Sequence, residues 1–176
     1  MLGAVMTDPA HDETYDETLD YVAITRLQSR YADVVNRRAW PELDGLFEPA
    51  APIRVDTVTA PARDFSGPGE LGAFIGGAIE RFDFFEFVIL NAVVAVGDHD
   101  DRDAATGRVF MCEIRRDRES GSYTIAFGVY HDRYRRSGGR WTFAQRDYQS
   151  LARTEPNEAF PFPSQFAAFV KQESQP

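Results

Sequence analysis

An α+β fold, helices leading and a long antiparallel sheet following, is what this sequence predicts, and three observations carry it. Apolar residues recur at helical spacing between Tyr21 and Phe47 and again between Leu71 and Ile79. Strand-like runs then follow one another from Phe84 to about Leu151. Their separators, Gly97-Asp98-His99-Asp100-Asp101, Asp117 to Ser122 and Ser137-Gly138-Gly139, have the chemistry of hairpin turns. Helices first and a meander after give N-terminal helices packed into a strongly curved, mostly antiparallel sheet.

Residues 1–20 carry Asp8, Asp12, Glu13, Asp16, Glu17 and Asp20 with almost nothing to bury, and are expected to form an acidic, disordered arm. Ile24, Leu27, Tyr31, Val34 and Val35 then make the apolar stripe of a first long helix, with Asp20 as its N-cap and its end near Arg37-Arg38. A second helix begins at Pro41, buries Leu43, Leu46 and Phe47, and stops at Pro49. The segment Ile53-Arg54-Val55-Asp56-Thr57-Val58 alternates like a short strand. Gly67-Pro68-Gly69 introduces a third helix through Leu71, Phe74, Ile75, Ala78 and Ile79, in which Gly72, Gly76 and Gly77 suit close packing against a neighbour. Four strands complete the pattern, at 84–96, 104–116, 123–135 and 140 to about 151. The chain reads as one domain over 21–152, with the arm before it and a tail over 153–176 that sets Phe160, Phe162, Phe166 and Phe169 among prolines.

Charge and cysteine content narrow the function classes. Twenty-eight acids against 19 bases leave −9 over 176 residues, which repels polyanions, so neither nucleic acid nor an acidic membrane is an expected partner. The basic residues Arg115, Arg116, Arg118, Arg133, Arg135, Arg136 and Arg140 fall at strand ends and read as solvated turn charges. Cys112 has no partner within the chain, and the first residues lack the basic flank and long apolar stretch of a signal peptide; a cytoplasmic location is expected. Fourteen Phe, seven Tyr and two Trp suit either a large core or an apolar ligand cavity.

The run Val129-Tyr130-His131-Asp132-Arg133-Tyr134, a Gly-Gly turn and Arg140-Trp141-Thr142-Phe143-Ala144-Gln145-Arg146 resembles the closing hairpin of SnoaL-like proteins, members of the nuclear transport factor 2-like superfamily. Arg30-Tyr31-Ala32 with Trp40 and Leu43 to Phe47, and the glycine-led helix at Gly67, carry the resemblance through 21–151. It implies a cone-shaped α+β barrel whose mouth, with the Phe/Pro-rich tail beside it, holds a small apolar or cyclic molecule. It also implies proton transfer without a cofactor, as in the family's polyketide cyclases, ketosteroid isomerase-like enzymes and scytalone dehydratase-like lyases. The dehydratase branch uses a carboxylate before the tryptophan and two strand histidines. In this sequence those positions fall on Asn36, Phe87 and Met111, none of which takes up a proton as the family residues do. Catalysis therefore stays open against a non-catalytic binding or assembly role, such as that of the dioxygenase β subunits, which share this layout.

A three-residue turn at Ser137-Gly138-Gly139 would pair Tyr130 with Arg146 and Gly128 with Tyr148, and alternation would put Gly128, Tyr130, Asp132, Ala144, Arg146 and Tyr148 on one face. The resemblance assigns that face to the pocket, together with Met111 and Glu113. It implies Asp132 as base, Tyr130 and Asn36 as donors to a developing oxyanion, and Arg146 as electrostatic support, with Tyr31, Trp40, Thr57, Phe87, Met111, Glu113 and Tyr148 contacting the ligand. Read from the residues alone, Asp132 and Arg146 are a structural ion pair steadying the hairpin ahead of a catalytic pair. His131 falls on the opposite face, the surface through which a homodimer is expected. No metal and no cofactor is expected, since no two histidines share a ligand spacing and no glycine-rich phosphate loop occurs.

Overall fold

The computed structural model describes residues 9–98, 101–155 and 158–161. Helix α1 (Pro9–Arg37) leads, followed by a 3-10 segment (Trp40–Gly45), strands β1 (Pro52–Asp56) and β2 (Arg63–Ser66), and helix α2 (Pro68–Ile79). Four long strands come next, β3 (Phe82–Asp98), β4 (Asp101–Asp117), β5 (Tyr123–Ser137) and β6 (Arg140–Glu155), with short β7 (Glu158–Pro161) last. The sheet order is β2-β1-β6-β5-β4-β3, and β7 pairs with β6. Every pairing is antiparallel except that of β1 with β6. The expected α+β class is present, but with β2 and β3 as edges the sheet stays open rather than closing into a barrel.

The expected helix start near Tyr21 is too late. Backbone helix begins at Pro9, so the segment expected as a disordered arm is helical from there to Asp20, while 1–8 lie outside the described residues. Asp20 is no N-cap: its carboxylate accepts two hydrogen bonds from Arg136 Nη1, each at 2.7 Å, and one from Trp141 Nε1 at 2.8 Å. The partners that fix this turn lie more than a hundred residues away, which no local pattern reveals. At its other end α1 stops as expected. Arg38, at φ 57°, takes the left-handed position of a Schellman cap, with Ala39 N–H donating to Val34 O and Arg38 N–H to Val35 O.

The second helix is a 3-10 turn instead of an α-helix. Its continuation is taken by the sheet, because Phe143 N–H donates to Leu46 O and Glu48 N–H to Phe143 O, which draws Phe47 alongside β6. Strand β2 is an element the sequence reading lacked. The last strand runs to Glu155, past the expected edge of the domain at 152, and β7 then occupies 158–161 of the expected tail; residues 162–176 lie outside the described residues. Two of the three helix glycines do allow close packing: a Cβ at Gly72 would meet Trp40 Cβ and Leu43 at 3.3 Å, and one at Gly76 would meet Trp40 Nε1 at 3.1 Å. Gly77 meets nothing.

The expected hairpin register is off by one and then by two. Gly138 and Gly139 have φ of 56° and 74° and form a two-residue turn that pairs Ser137 with Arg140. A bulge at Ala144 adds the second shift, so Asp132 lies opposite Arg146 and Tyr130 opposite Tyr148. The bulge restores the inward face the sequence reading expected for Tyr130, Asp132, Arg146 and Tyr148, but Phe143 points inward instead of Ala144. The core joins that face to the stripe of α1 through Ile24, Leu27, Tyr31, Val34 and Val35.

Candidate functional site

A cavity of about 160 Å³ opens between α1, β1, α2 and the inner face of β4, β5 and β6. A cavity of this size class holds a single benzene-like ring. Its inner end is made by Tyr31, Phe87, Tyr130 and Arg146, all nearly inaccessible, and its outer end by Arg54, Phe74 and Ala78. Val35, Ile53, Val55, Leu71, Ile75 and Ile79 supply the apolar walls. Such a shape, apolar with a few converging polar groups, is the usual form of a small-molecule site.

Arg146 anchors the inner end. Its guanidinium lies 4.1 Å from the ring centroid of Tyr31, 4.2 Å from Tyr130 and 4.1 Å from Phe143. Nε and Nη2 donate to the two carboxylate oxygens of Asp132, each at 2.8 Å. Burial works against the arginine's charge, yet the charge and hydrogen bonds of Asp132 outweigh it and hold Arg146 protonated. Nη1 has no hydrogen-bond acceptor among the described residues.

Asp132 is not where a base would have to be. Its side chain is fully inaccessible, and besides both bonds from Arg146 it accepts one from Tyr134 Oη at 2.8 Å, which in turn accepts from Gln28 Nε2 at 2.7 Å. The carboxylate is absent from the cavity wall, and the geometry is that of the structural ion pair the residues themselves suggested, in place of the base the resemblance implied: Asp132 positions Arg146. Asn36 is likewise corrected. Its amide donates to Phe87 O at 3.0 Å and accepts from Phe87 N–H at 2.6 Å, clipping α1 to β3 at an exposed position away from the cavity. Trp40 packs behind α2, and Met111, fully buried, belongs to the core; neither lines the cavity.

Tyr31, Thr57, Phe87, Glu113, Tyr130, Arg146 and Tyr148 are brought together there, as expected. Burial raises the phenol pKa of Tyr31, opposed by the Arg146 charge and by hydrogen bonding to Tyr130, and it raises that of Tyr130 strongly. The Tyr148 hydroxyl lies 3.1 Å from Ser150 Oγ and is pushed up to about 12, chiefly by burial. These hydroxyls are therefore donors at neutral pH. Glu113 contributes the carboxylate of the wall and is bound at 2.5 Å by Arg115.

Arg115 and Arg153 are cavity residues that the sequence reading missed. Arg115 was expected as a solvated turn charge, yet its side chain is only 13 % exposed and stacks on Phe82. The signal was present, since strand alternation puts Arg115 on the face of Met111 and Glu113. The solvated reading fails for Arg136 too, which is held between Asp20 and the Trp141 ring, but it holds for Arg135, paired with Asp101, and Arg116, paired with Asp83, at the surface. His131 lies on the outer face beside Arg108, where burial and that arginine lower its pKa. Among the described residues no cluster of His, Cys, Asp or Glu could hold a metal ion, and no helix is long and apolar enough to cross a membrane.

No curated protein matches the chain. Solved structures do. A candidate scytalone dehydratase from Novosphingobium aromaticivorans shares 21% identity, with 85% of this chain and 97% of that one covered at a TM-score of 0.68. The hexachlorocyclohexane dehydrochlorinase LinA-type3 from Novosphingobium barchaimii shares 18% identity over 85% and 94% at 0.67. An NTF2-like protein with a cystatin-like fold from Novosphingobium aromaticivorans shares 20% over 84% and 92% at 0.65. At these identities the likeness shows the fold, helices packed against an open, mostly antiparallel sheet. The SnoaL-like domain model matches residues 16–147, three quarters of the chain, and takes in α1, α2 and the hairpin that carries Asp132 and Arg146, so this protein belongs to the SnoaL-like domain family.

Proposed function

We propose that the cavity binds a small cyclic molecule carrying a carbonyl oxygen and moves a proton on it without a cofactor. One observation carries this reading: an apolar cavity of single-ring size collects the Glu113 carboxylate, the Tyr31, Tyr130 and Tyr148 hydroxyls and a guanidinium whose Nη1 lacks an acceptor among the described residues. Glu113 takes the role first expected of Asp132. It removes a proton from the carbon beside the carbonyl, the enolate oxygen gains the hydrogen bonds of Tyr130 and Arg146, and protonated Glu113 returns the proton to carbon. Tyr31 packs edge-on against Tyr130 and Phe87 and holds both in place.

Deuterium uptake by cyclohexanone and 2-cyclohexenone in D2O, followed by NMR, tests the chemistry. Glu113→Gln is expected to abolish enzyme-dependent exchange, a loss of at least about 100-fold, while ring binding persists. A second reading, binding without turnover, is favoured by the 2.5 Å tie between Glu113 and Arg115 and by the absence of histidine from the described cavity wall. Ring binding with no exchange in the native protein would select it. Either way we propose association of two copies through the outer sheet face that bears His131, Arg133 and Gln145.

A further inference from the structure

The cavity wall has a charge that the rest of the chain does not. The molecule carries −9, yet the charged residues lining this cavity are four arginines, Arg54, Arg115, Arg146 and Arg153, against Glu113 alone. Three of the arginines are matched: Arg54 by Asp64 at 2.9 Å, Arg115 by Glu113 and Arg146 by Asp132. No carboxylate among the described residues matches Arg153. Its Nε is buried without an acceptor, and so is the Nε of Arg115. Both guanidiniums lower the pKa of the Tyr148 hydroxyl, against the effects of its burial and of Glu113. One positive charge is thus in excess, beside two inaccessible N–H donors, at the half-buried level of the cavity between its tyrosine end and its opening.

We propose that the molecule bound here is a carboxylate, a ring acid whose carboxyl group is held by Arg153 with Arg115 and whose ring extends toward Tyr31 and Phe87. This rests on the assignment of the cavity to a single-ring ligand and names the chemical class of that ligand. A guanidinium fork matches a carboxylate with two parallel hydrogen bonds, whereas a neutral ring would leave the Arg153 charge unmatched. The net charge of −9 disfavours larger polyanions, so a small monoanion is the class that the chain as a whole and this cavity both admit.

Benzoate and benzamide differ in charge and little in shape, and titration of the full chain with each at fixed ionic strength separates the cases. Benzoate is expected to bind at least about tenfold more tightly than benzamide, and acetate, which has the charge without the ring, more weakly than benzoate by a similar factor. Arg153→Met is expected to bring the benzoate to benzamide ratio below about threefold, chiefly by loss of benzoate affinity, and Arg153→Lys, which keeps the charge but loses the fork, to fall between. Benzamide binding as tightly as benzoate would overturn the carboxylate assignment and leave the cavity assignment standing, as would a ratio untouched in both Arg153 variants. If neither probe nor phenol binds at all, the cavity assignment fails and the carboxylate goes with it.

Discussion

Replacing Asp132 with asparagine keeps the shape of the side chain and removes the charge opposite Arg146. In the folded protein the two side chains are 0 % and 2 % exposed, so the guanidinium cannot recover in water what it loses from Asp132. Breaking one partner of such a pair costs about 3–5 kcal/mol, and the amide oxygen that replaces the carboxylate, still able to accept one bond, places the variant toward the lower figure. At about 2–4 °C per kcal/mol for a domain of this size, Asp132→Asn should lower the melting temperature by about 6–20 °C. The double variant Asp132→Leu/Arg146→Met removes both charges and should recover most of that loss, because an apolar pair of similar volume avoids the desolvation of both ions. Scanning calorimetry of the single and double variants, with urea unfolding for the free energies, supplies the cycle. A fall of less than about 3 °C for Asp132→Asn would mean that Arg146 finds water or another acceptor in the folded state and that the pair is not the buried, isolated one described above.

Gly128→Ala should destabilise by about 1–3 kcal/mol, because a Cβ there would come within 2.3 Å of the Tyr148 ring. Shortening that ring in Gly128→Ala/Tyr148→Ala should remove the clash, and urea unfolding of the two variants shows whether it does. Asn36→Ala should cost about 1 kcal/mol by releasing α1 from β3 at an exposed site, with ring binding unchanged; a lost affinity would return Asn36 to the pocket. The Tyr148 hydroxyl has its pKa raised from the ordinary 10 to about 12, so its share of stability is complete below pH 10 and is lost as the pH rises through 12. Alkaline unfolding should therefore steepen across that window and less so in Tyr148→Phe; identical profiles would contradict the shift. Asp117, held near 2 by the Ser120 N–H and by Arg81, runs the other way: its contribution is complete above about pH 4 and is lost as the pH falls toward 2, which the NMR titration of its carboxyl carbon reports.

How much of this was legible depended on the range of the forces involved. Local periodicity carries the long helix, α2 and the four long strands, because an apolar stripe or an alternation is written within a single element. The Ala144 bulge is not written that way. It shifts Asp132 onto Arg146, and only the burial of both side chains selects that register over its neighbour. Asp20 has the same character, since its helix turn is fixed by Arg136 and Trp141 across the fold. In the site, the resemblance brought together Tyr130, Arg146, Tyr148 and Glu113, which share inward strand faces. It misplaced Asp132, whose side chain faces inward but lies behind Arg146, and Asn36, whose amide is consumed by the backbone of Phe87. The alternation of β4 turns Arg115 inward, against the general tendency of arginines at strand ends to face water.

The space beneath α2, with Arg146 and the tyrosines at its inner end, is where we propose that this protein meets its ligand. Methyl chemical-shift mapping during titration with benzoate tests it most directly. Shifts are expected to concentrate at Val35, Ile53, Val55, Leu71, Ile75 and Ile79, the apolar walls of the cavity, together with quiet methyls at Val93 and Thr106 on the outer sheet face. Shifts centred on the outer face, with the wall methyls unmoved at saturation, would contradict it.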